Sequence, residues 1–234
     1  MGRIELSVVI PAHNEETTVA GVVKGHREVA RYVASSFELV VCDDGSTDAT
    51  WSELESLCAG VAELRLLRNA AREGIPSTMK RLYADARGEW IYFAPADGQV
   101  PAAALERMWP IRDGSALVVG RRVPRRDPAS RVLIAQLYST VLRWIFRLPV
   151  RDIDSVKLYR AADLRAVTVR SRSTFFEAEI LIGLCSRQRV VREVDIPHRP
   201  RIAGAARGVT PLGAVLAVKD VAFFAIGWLL RRGR

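Results

Sequence analysis

Carboxylates, amides and hydroxyls gather at three points in this sequence, each just after a short apolar run. Pro11-Ala12-His13-Asn14-Glu15-Glu16 closes the run Ile4 to Pro11. Asp43-Asp44-Gly45-Ser46-Thr47-Asp48 follows Phe37 to Cys42. Pro95-Ala96-Asp97-Gly98-Gln99 follows Trp90 to Ala94. In open α/β sheets ligands bind beyond the carboxyl ends of the strands. Singly, Asn14, Asp44 or Thr47 reads as a helix cap and Asp97-Gly98 as a turn. Together, each at a strand end, they point to a ligand site. A fourth cluster is cationic: the eleven residues from Arg121 to Arg131 include Arg121, Arg122, Arg125, Arg126 and Arg131. It reads either as a solvated basic loop or as an anion site, because guanidinium suits bidentate phosphate contact. His13, His26 and His198 do not form a metal-spaced set, and neither do Cys42, Cys58 and Cys185.

The elements that must position these groups alternate in the first half of the chain. Strands are expected at Ile4 to Pro11, Phe37 to Cys42, Leu64 to Leu67, Trp90 to Ala94 and Leu117 to Gly120. Between them, helices are expected at Glu15 to Ser35, from the 43–48 turn to about Ala59, at Ser77 to Ala86 and at Ala102 to Trp109. This rhythm predicts an α/β, mostly parallel sheet flanked by helices. Further on, a helix is expected at Ala129 to Phe146, a strand within Arg151 to Tyr159, a helix at Phe176 to Cys185 and a last strand at Val190 to Ile196. Leu212 to Leu230, 19 residues, is the most apolar stretch and ends in Arg231-Arg232-Gly233-Arg234. Lys219 and Asp220 at its middle argue against burial in lipid. An amphipathic helix lying on a membrane surface, or one packed on the core or a partner, fits better.

With 234 residues, of which 49% are hydrophobic and 26% charged, the chain can bury a full core. Disordered, collagen-like and coiled-coil classes are excluded. The 35 basic and 26 acidic side chains leave a net charge of +9, which suits phosphate-bearing partners. No nucleic-acid-binding signature accompanies that charge, so no nucleic-acid partner is expected. Three cysteines without close spacing point to reduced thiols and a cytoplasmic setting. Met1-Gly2-Arg3-Ile4-Glu5 runs straight into the first strand, so no secretory leader is expected.

SVVIPAHNEE, then ELVVCDDGSTDAT, then GEWIYFAPADGQ, resembles family 2 glycosyltransferases of the GT-A (Rossmann-like) fold, in particular the polyprenyl-phosphate (dolichol-phosphate mannose synthase-like) branch. The resemblance covers roughly residues 5 to 200. It implies a nucleotide-sugar pocket formed by Pro11, Ala12, Asn14, Glu15, Asp43, Asp44 and Asp97. It also implies a divalent cation, Mg²⁺ or Mn²⁺, held by Asp97 with Gln99. The family's Asp-x-Asp element has Pro95 at its first position here, so one carboxylate remains; Mg²⁺ commonly completes its shell with water and ligand phosphates. The family's glycine-rich run near the diphosphate is reduced to Gly74 between Asn69 and Gly88, and Arg72 or Lys80 is offered instead. Arg121, Arg122 and Arg131 correspond to the branch's basic loop for the acceptor phosphate. Asp152 and Glu179 correspond to acidic positions near the acceptor, and the segment His198 to Arg201 to one closing over the donor phosphates.

The expected activity is inverting transfer of a sugar from a GDP- or UDP-sugar to a polyprenyl phosphate. A phosphate acceptor is already anionic, whereas a hydroxyl acceptor would need Asp152 or Glu179 as base. The alternatives are such a hydroxyl acceptor, or a non-catalytic nucleotide-sugar-binding protein left by the loss of the first carboxylate. A nucleotidyltransferase would require a glycine-rich turn where PAHNEE stands. A catalytic domain over 1–205 and a C-terminal helix over 206–234 are expected, the enzyme being peripheral at the inner membrane face and open to oligomerisation.

Overall fold

The computed structural model describes residues 3–201 and 211–232. Seven strands form one sheet: β1 (Leu6–Ala12), β2 (Phe37–Asp43), β3 (Leu64–Arg68), β4 (Trp90–Phe93), β5 (Leu117–Arg122), β6 (Lys157–Arg160) and β7 (Val191–Ile196). Their spatial order is β3-β2-β1-β4-β6-β5-β7. Strand β6 runs antiparallel to β4 and β5, and every other pairing is parallel. The chain therefore reverses its direction of travel across the sheet between β1 and β4. That crevice is where α/β sheets place ligands.

Among the described residues the α-helices are α1 (Val19–Val33), α2 (Thr50–Cys58), α3 (Ile75–Asp85), α4 (Ala103–Met108), α5 (Ala129–Phe146), α6 (Ala161–Arg165), α7 (Phe176–Ser186) and α8 (Pro211–Arg232). Alternation along β1 feeds two cores. Leu6, Val8 and Ile10 point into one, with Val19 and Val23 of α1 and Leu105 of α4. Val9 points into the other, with Leu82 of α3, Leu142 of α5 and Leu181 of α7. Burial on both faces explains the near-continuous apolar runs of the parallel strands.

The expected elements are present, with informative shifts. Helix α1 starts at Val19 rather than Glu15, because Glu15 to Thr18 form a turn whose Glu15 carbonyl accepts the N–H groups of Thr18 and Val19. The strand expected within 151–159 is confined to Lys157–Arg160, since Asp152 is engaged in a loop ion pair. Helix α6 was not expected; five residues are too few for a periodic signal.

Helix α8 packs on the domain through Phe224, which meets Phe146 and Phe175, and through Trp228, which meets Phe146. Asp220, the charge in its middle, accepts hydrogen bonds from the Ser173 hydroxyl and from the N–H groups of Arg172 and Ser173. That is why an acid is tolerated there. Among the described residues no helix is long and apolar enough to cross a membrane. The expected boundary between residues 205 and 206 lies outside the described residues, as do Gly233 and Arg234.

Candidate active site

The loops after β1, β2 and β3 are laced into one wall. Asn14, at the left-handed φ of 52°, donates its N–H to the Ser46 hydroxyl (2.9 Å), and its Oδ1 accepts the Thr47 N–H (2.8 Å). Pro11 and Ala12 are buried at the end of β1 and serve as floor. Gly45 has φ of 64°, and a Cβ there would stand 2.6 Å from the Ala71 carbonyl carbon. Only glycine lets the second loop approach the third so closely. Between the loops opens a cavity of about 710 Å³, with Asn14, Ser46 and Thr47 on one side and Arg68, Asn69 and Arg72 on the other.

The two expected nucleoside carboxylates differ in their surroundings. Asp44 Oδ1 accepts the Asn69 side-chain amide (2.8 Å) and the Glu73 N–H (2.9 Å), and Oδ2 accepts the Gly74 N–H (2.8 Å). Burial works against its charge, but these hydrogen bonds outweigh it and hold the carboxyl below the usual range. Asp44 thus shapes the 69–74 loop. Asp43 is fully buried; Oδ1 accepts the Ser46 N–H, while Oδ2 has no hydrogen-bond partner and lies 3.3 Å from Arg68 Nε. Arg68 also lies over the Trp51 ring, 4.7 Å from its centroid. Sequence reading passed over Arg68, although a polar residue at the end of β3 was the available signal.

Asp97 lies beyond β4 in a turn where Gly98 has φ of 69°. Its Oδ1 accepts the Gln99 N–H (3.0 Å), and Gln99 is nearly buried. Arg201 spans this turn and the first loop: Nη2 lies 2.7 Å from Glu15 Oε1 and Nη1 3.5 Å from Asp97 Oδ2. The Thr18 hydroxyl bridges the same two loops, donating to the Ala96 carbonyl at 2.7 Å. Among the described residues no group of three or more His, Cys, Asp or Glu side chains could hold a metal.

Four arginines of the basic loop are in ion pairs. Arg122 makes a bidentate pair with Asp152, Nη2 to Oδ1 at 2.7 Å and Nε to Oδ2 at 2.8 Å. Arg125 lies 2.8 Å and Arg131 3.6 Å from Asp127, and Arg121 pairs with Asp195 at 2.7 Å. Arg126 is exposed and enters no ion pair among the described residues; its N–H donates to His198 Nδ1 (3.0 Å). Burial raises the Asp152 carboxyl, and the Arg122 guanidinium outweighs that, holding it below the usual range.

Glu179 is buried in α7 and accepts the N–H groups of Arg170 (3.0 Å) and Ser171 (2.9 Å) and the Ser171 hydroxyl. It ties down the loop at residues 170–171. Its neighbour Glu177 joins a second buried network, accepting the hydroxyls of Tyr83 (2.7 Å) and Tyr159 (2.5 Å) beside Lys157 Nζ at 3.1 Å. Of the expected site, the structure brings together the residues of the first, second and fourth strand ends, and sets Glu179 apart from them in a loop contact of its own.

The doubly covered, mostly parallel sheet carries a polar cavity over the ends of β1, β2 and β3 and an aspartate turn beyond β4, beside its switch point. Residues 7–167 match Glycosyl transferase family 2, and the chain belongs to that family. It is a glycosyltransferase. Glycosyltransferase AglD of Haloferax volcanii is 28% identical over 209 residues, which are 85% of this chain and 34% of that protein. An undecaprenyl-phosphate 4-deoxy-4-formamido-L-arabinose transferase of Pseudomonas paraeruginosa is 28% identical over 210 residues, 86% of this chain and 60% of that protein. The chain thus spans about a third and three-fifths of these two relatives. The fold matches glucosyl-3-phosphoglycerate synthase of Mycobacterium tuberculosis, solved with Mn²⁺, UDP and glucosyl-3-phosphoglycerate. The TM-score is 0.72 at 18% identity, covering 94% of this chain and 79% of that one.

Proposed function

We propose that the chain transfers a sugar, with inversion, from a nucleotide donor to a polyprenyl phosphate at a membrane surface. The observation that carries the choice of acceptor is the state of the two carboxylates that the sequence offers as bases. Asp152 is locked to Arg122 and Glu179 to the 170–171 backbone. The Arg122 guanidinium holds the Asp152 carboxyl below its usual range, which makes it a poor proton acceptor at neutral pH, and the lone pairs of Glu179 are taken up by the 170–171 backbone and the Ser171 hydroxyl. A hydroxyl acceptor would need such a base. A phosphate acceptor is already a nucleophilic anion and needs orientation and charge screening. Arg126, exposed and in no ion pair among the described residues, is an arginine of the basic loop available for it. The relatives named for undecaprenyl-phosphate transfer support the same acceptor class.

The nucleoside fits the cavity between the second and third loops, against Arg68 and Asn69, with Asp43 behind Arg68. The diphosphate then runs along Asn14 and Glu15 toward Asp97. Asp97 and the Gln99 amide are hard oxygen donors that fit Mg²⁺ or Mn²⁺ sharing its shell with diphosphate and water. Such a cation supplies charge neutralisation for the departing nucleoside diphosphate. Asp97 positions that charge.

The membrane contact is wider than α8. Leu133, Ile134, Leu137, Val141 and Trp144 form an exposed apolar stripe along α5, and Phe223 and Ile226 are exposed on α8. The two helices touch through Phe146, and exposed Arg143, Arg147 and Lys219 accompany the stripes. Aromatic and aliphatic groups beside basic ones suit an anionic lipid surface.

The test is a transfer screen over GDP- and UDP-sugars with Mg²⁺ or Mn²⁺ and a short polyprenyl phosphate, with soluble hydroxyl acceptors in parallel. Glycosyl phosphate formation that disappears in Asp97→Ala is the expected result. Transfer to hydroxyl acceptors alone would overturn the choice of acceptor, and full activity of Asp97→Ala would overturn its role.

A further inference from the structure

We infer that Arg201 stands in, within the nucleotide-free enzyme, for the divalent cation: its guanidinium neutralises Asp97 and Glu15 and competes with metal for Asp97. The inference rests on the reading of Asp97 as the carboxylate that meets the donor diphosphate, and takes it a step further.

Three observations converge. Nη1 and Nη2 of Arg201 reach carboxylates on two different loops, Asp97 at 3.5 Å and Glu15 at 2.7 Å. All three side chains are 14–20% exposed, so bulk salt screens the arrangement only partly. Pro95 replaces the carboxylate that would let a metal hold on by two acidic ligands. A metal arriving at Asp97 alone thus meets one carboxylate already facing a positive charge, and two cations within a few ångströms repel each other. A nucleoside diphosphate changes the balance. Its oxygens offer new partners to both cations, so Arg201 can leave Asp97 for the diphosphate while the metal takes its place. Metal and nucleotide then bind with positive coupling, and the coupling is reciprocal.

The experiment is Mn²⁺ titration of the full chain, followed by electron paramagnetic resonance, with and without UDP or GDP. The chains are wild type, Arg201→Gln and Arg201→Lys, each checked for an unchanged melting curve. Without nucleotide, Arg201→Gln should bind Mn²⁺ about tenfold more tightly than wild type, the scale of a removed like-charge contact in a partly buried site. Arg201→Lys should stay near wild type. Nucleoside diphosphate should tighten Mn²⁺ binding strongly in wild type and much less in Arg201→Gln. Nucleotide-free affinity that is unchanged or weaker in Arg201→Gln would overturn the inference. So would a gain that survives Asp97→Asn in the Arg201→Gln background, because the ion would then sit elsewhere. The readout needs no turnover, so failure of the acceptor assignment would leave these affinities untouched and remain a separate result.

Discussion

Replacing Asp152 by alanine separates a structural ion pair from a catalytic base. The Arg122 guanidinium is 12% exposed and the Asp152 side chain 9%. They share two short hydrogen bonds, and the Arg122 N–H adds a third to Oδ2 at 3.2 Å. Removing one partner of such a buried pair costs about 3–5 kcal/mol, because the other charge is left without compensation. Arg122 would keep the Asp154 carbonyl, 2.6 Å from Nη2, which places the expected loss near the lower end, about 3 kcal/mol. With a urea slope of about 2 kcal/mol/M, the unfolding midpoint of Asp152→Ala should fall by roughly 1.5 M. Replacing both partners, Arg122→Met with Asp152→Leu, should recover most of that loss, since an apolar pair of similar volume avoids the desolvation of two ions. The pH dependence has a definite sign. Arg122 holds the folded carboxyl below its usual range against the effect of burial, while the unfolded carboxyl titrates near 3.9. The pair's contribution is therefore complete above about pH 3.9 and is lost as pH falls through the folded value. The gap between wild type and Asp152→Ala should stay constant from neutral to alkaline pH and close only in acid. An Asp152→Ala protein as stable as wild type, yet hundreds of times slower in transfer, would refute this reasoning and restore Asp152 as a base.

Other expectations follow from the same geometry. Asp43→Asn should leave stability nearly intact and weaken nucleotide binding by about tenfold in calorimetry, whereas Asp44→Ala, with three loop hydrogen bonds removed, should lose about 2 kcal/mol or more of stability as well; equal stability of the two variants would contradict the division. His26 is fully buried in α1, and burial lowers its pKa to about 4 despite the Val22 carbonyl on Nδ1. The unfolded chain takes up that proton near 6.5, so stability should be full above this pH and fall toward pH 4 by up to about 1.4 kcal/mol per unit; His26→Phe should flatten that slope in urea titrations at several pH values. Leu137→Asp with Trp144→Asp on α5 should release the protein from anionic vesicles in sedimentation while leaving nucleotide affinity unchanged, and undiminished sedimentation would assign the stripe to protein packing.

The centre of the sheet was legible because β1 and β2 are buried almost throughout and so read as near-continuous apolar runs, while the edge strands β3 and β7 are part-exposed and carry charges. Strands β1, β2, β4 and β5 were found within a residue or two, β6 only as a strand somewhere in 151–159, and α5 was bounded correctly at both ends. The first three loops were legible as well, since polar residues immediately after such strands are conspicuous. What could not be read was where each side chain spends its hydrogen-bonding capacity. Asp43 and Asp44 are adjacent and identical in type, yet one faces Arg68 and the other ties together Asn69, Glu73 and Gly74. The arginine-rich loop looked like a reservoir of free cations. Four of its five arginines meet Asp127, Asp152 or Asp195, two of which lie far along the chain, and composition carries no record of such pairings.

The same limit explains the reading of the incomplete Asp-x-Asp element. Within its own loop, Pro95 leaves Asp97 alone, and a single carboxylate is a weak anchor for a metal. Across loops, however, Thr18 joins Glu15 to Ala96, and Arg201 joins Glu15 to Asp97. The acidic character that the element lost by substitution is thus partly kept by a glutamate 82 positions earlier, by the difference between residues 97 and 15. A linear motif search weighs only neighbours in sequence and scores the site as damaged. The folded site holds two carboxylates and one guanidinium at the point where a diphosphate would depart. That is a charge balance which a dianionic leaving group, arriving with its own cation, is well suited to rearrange.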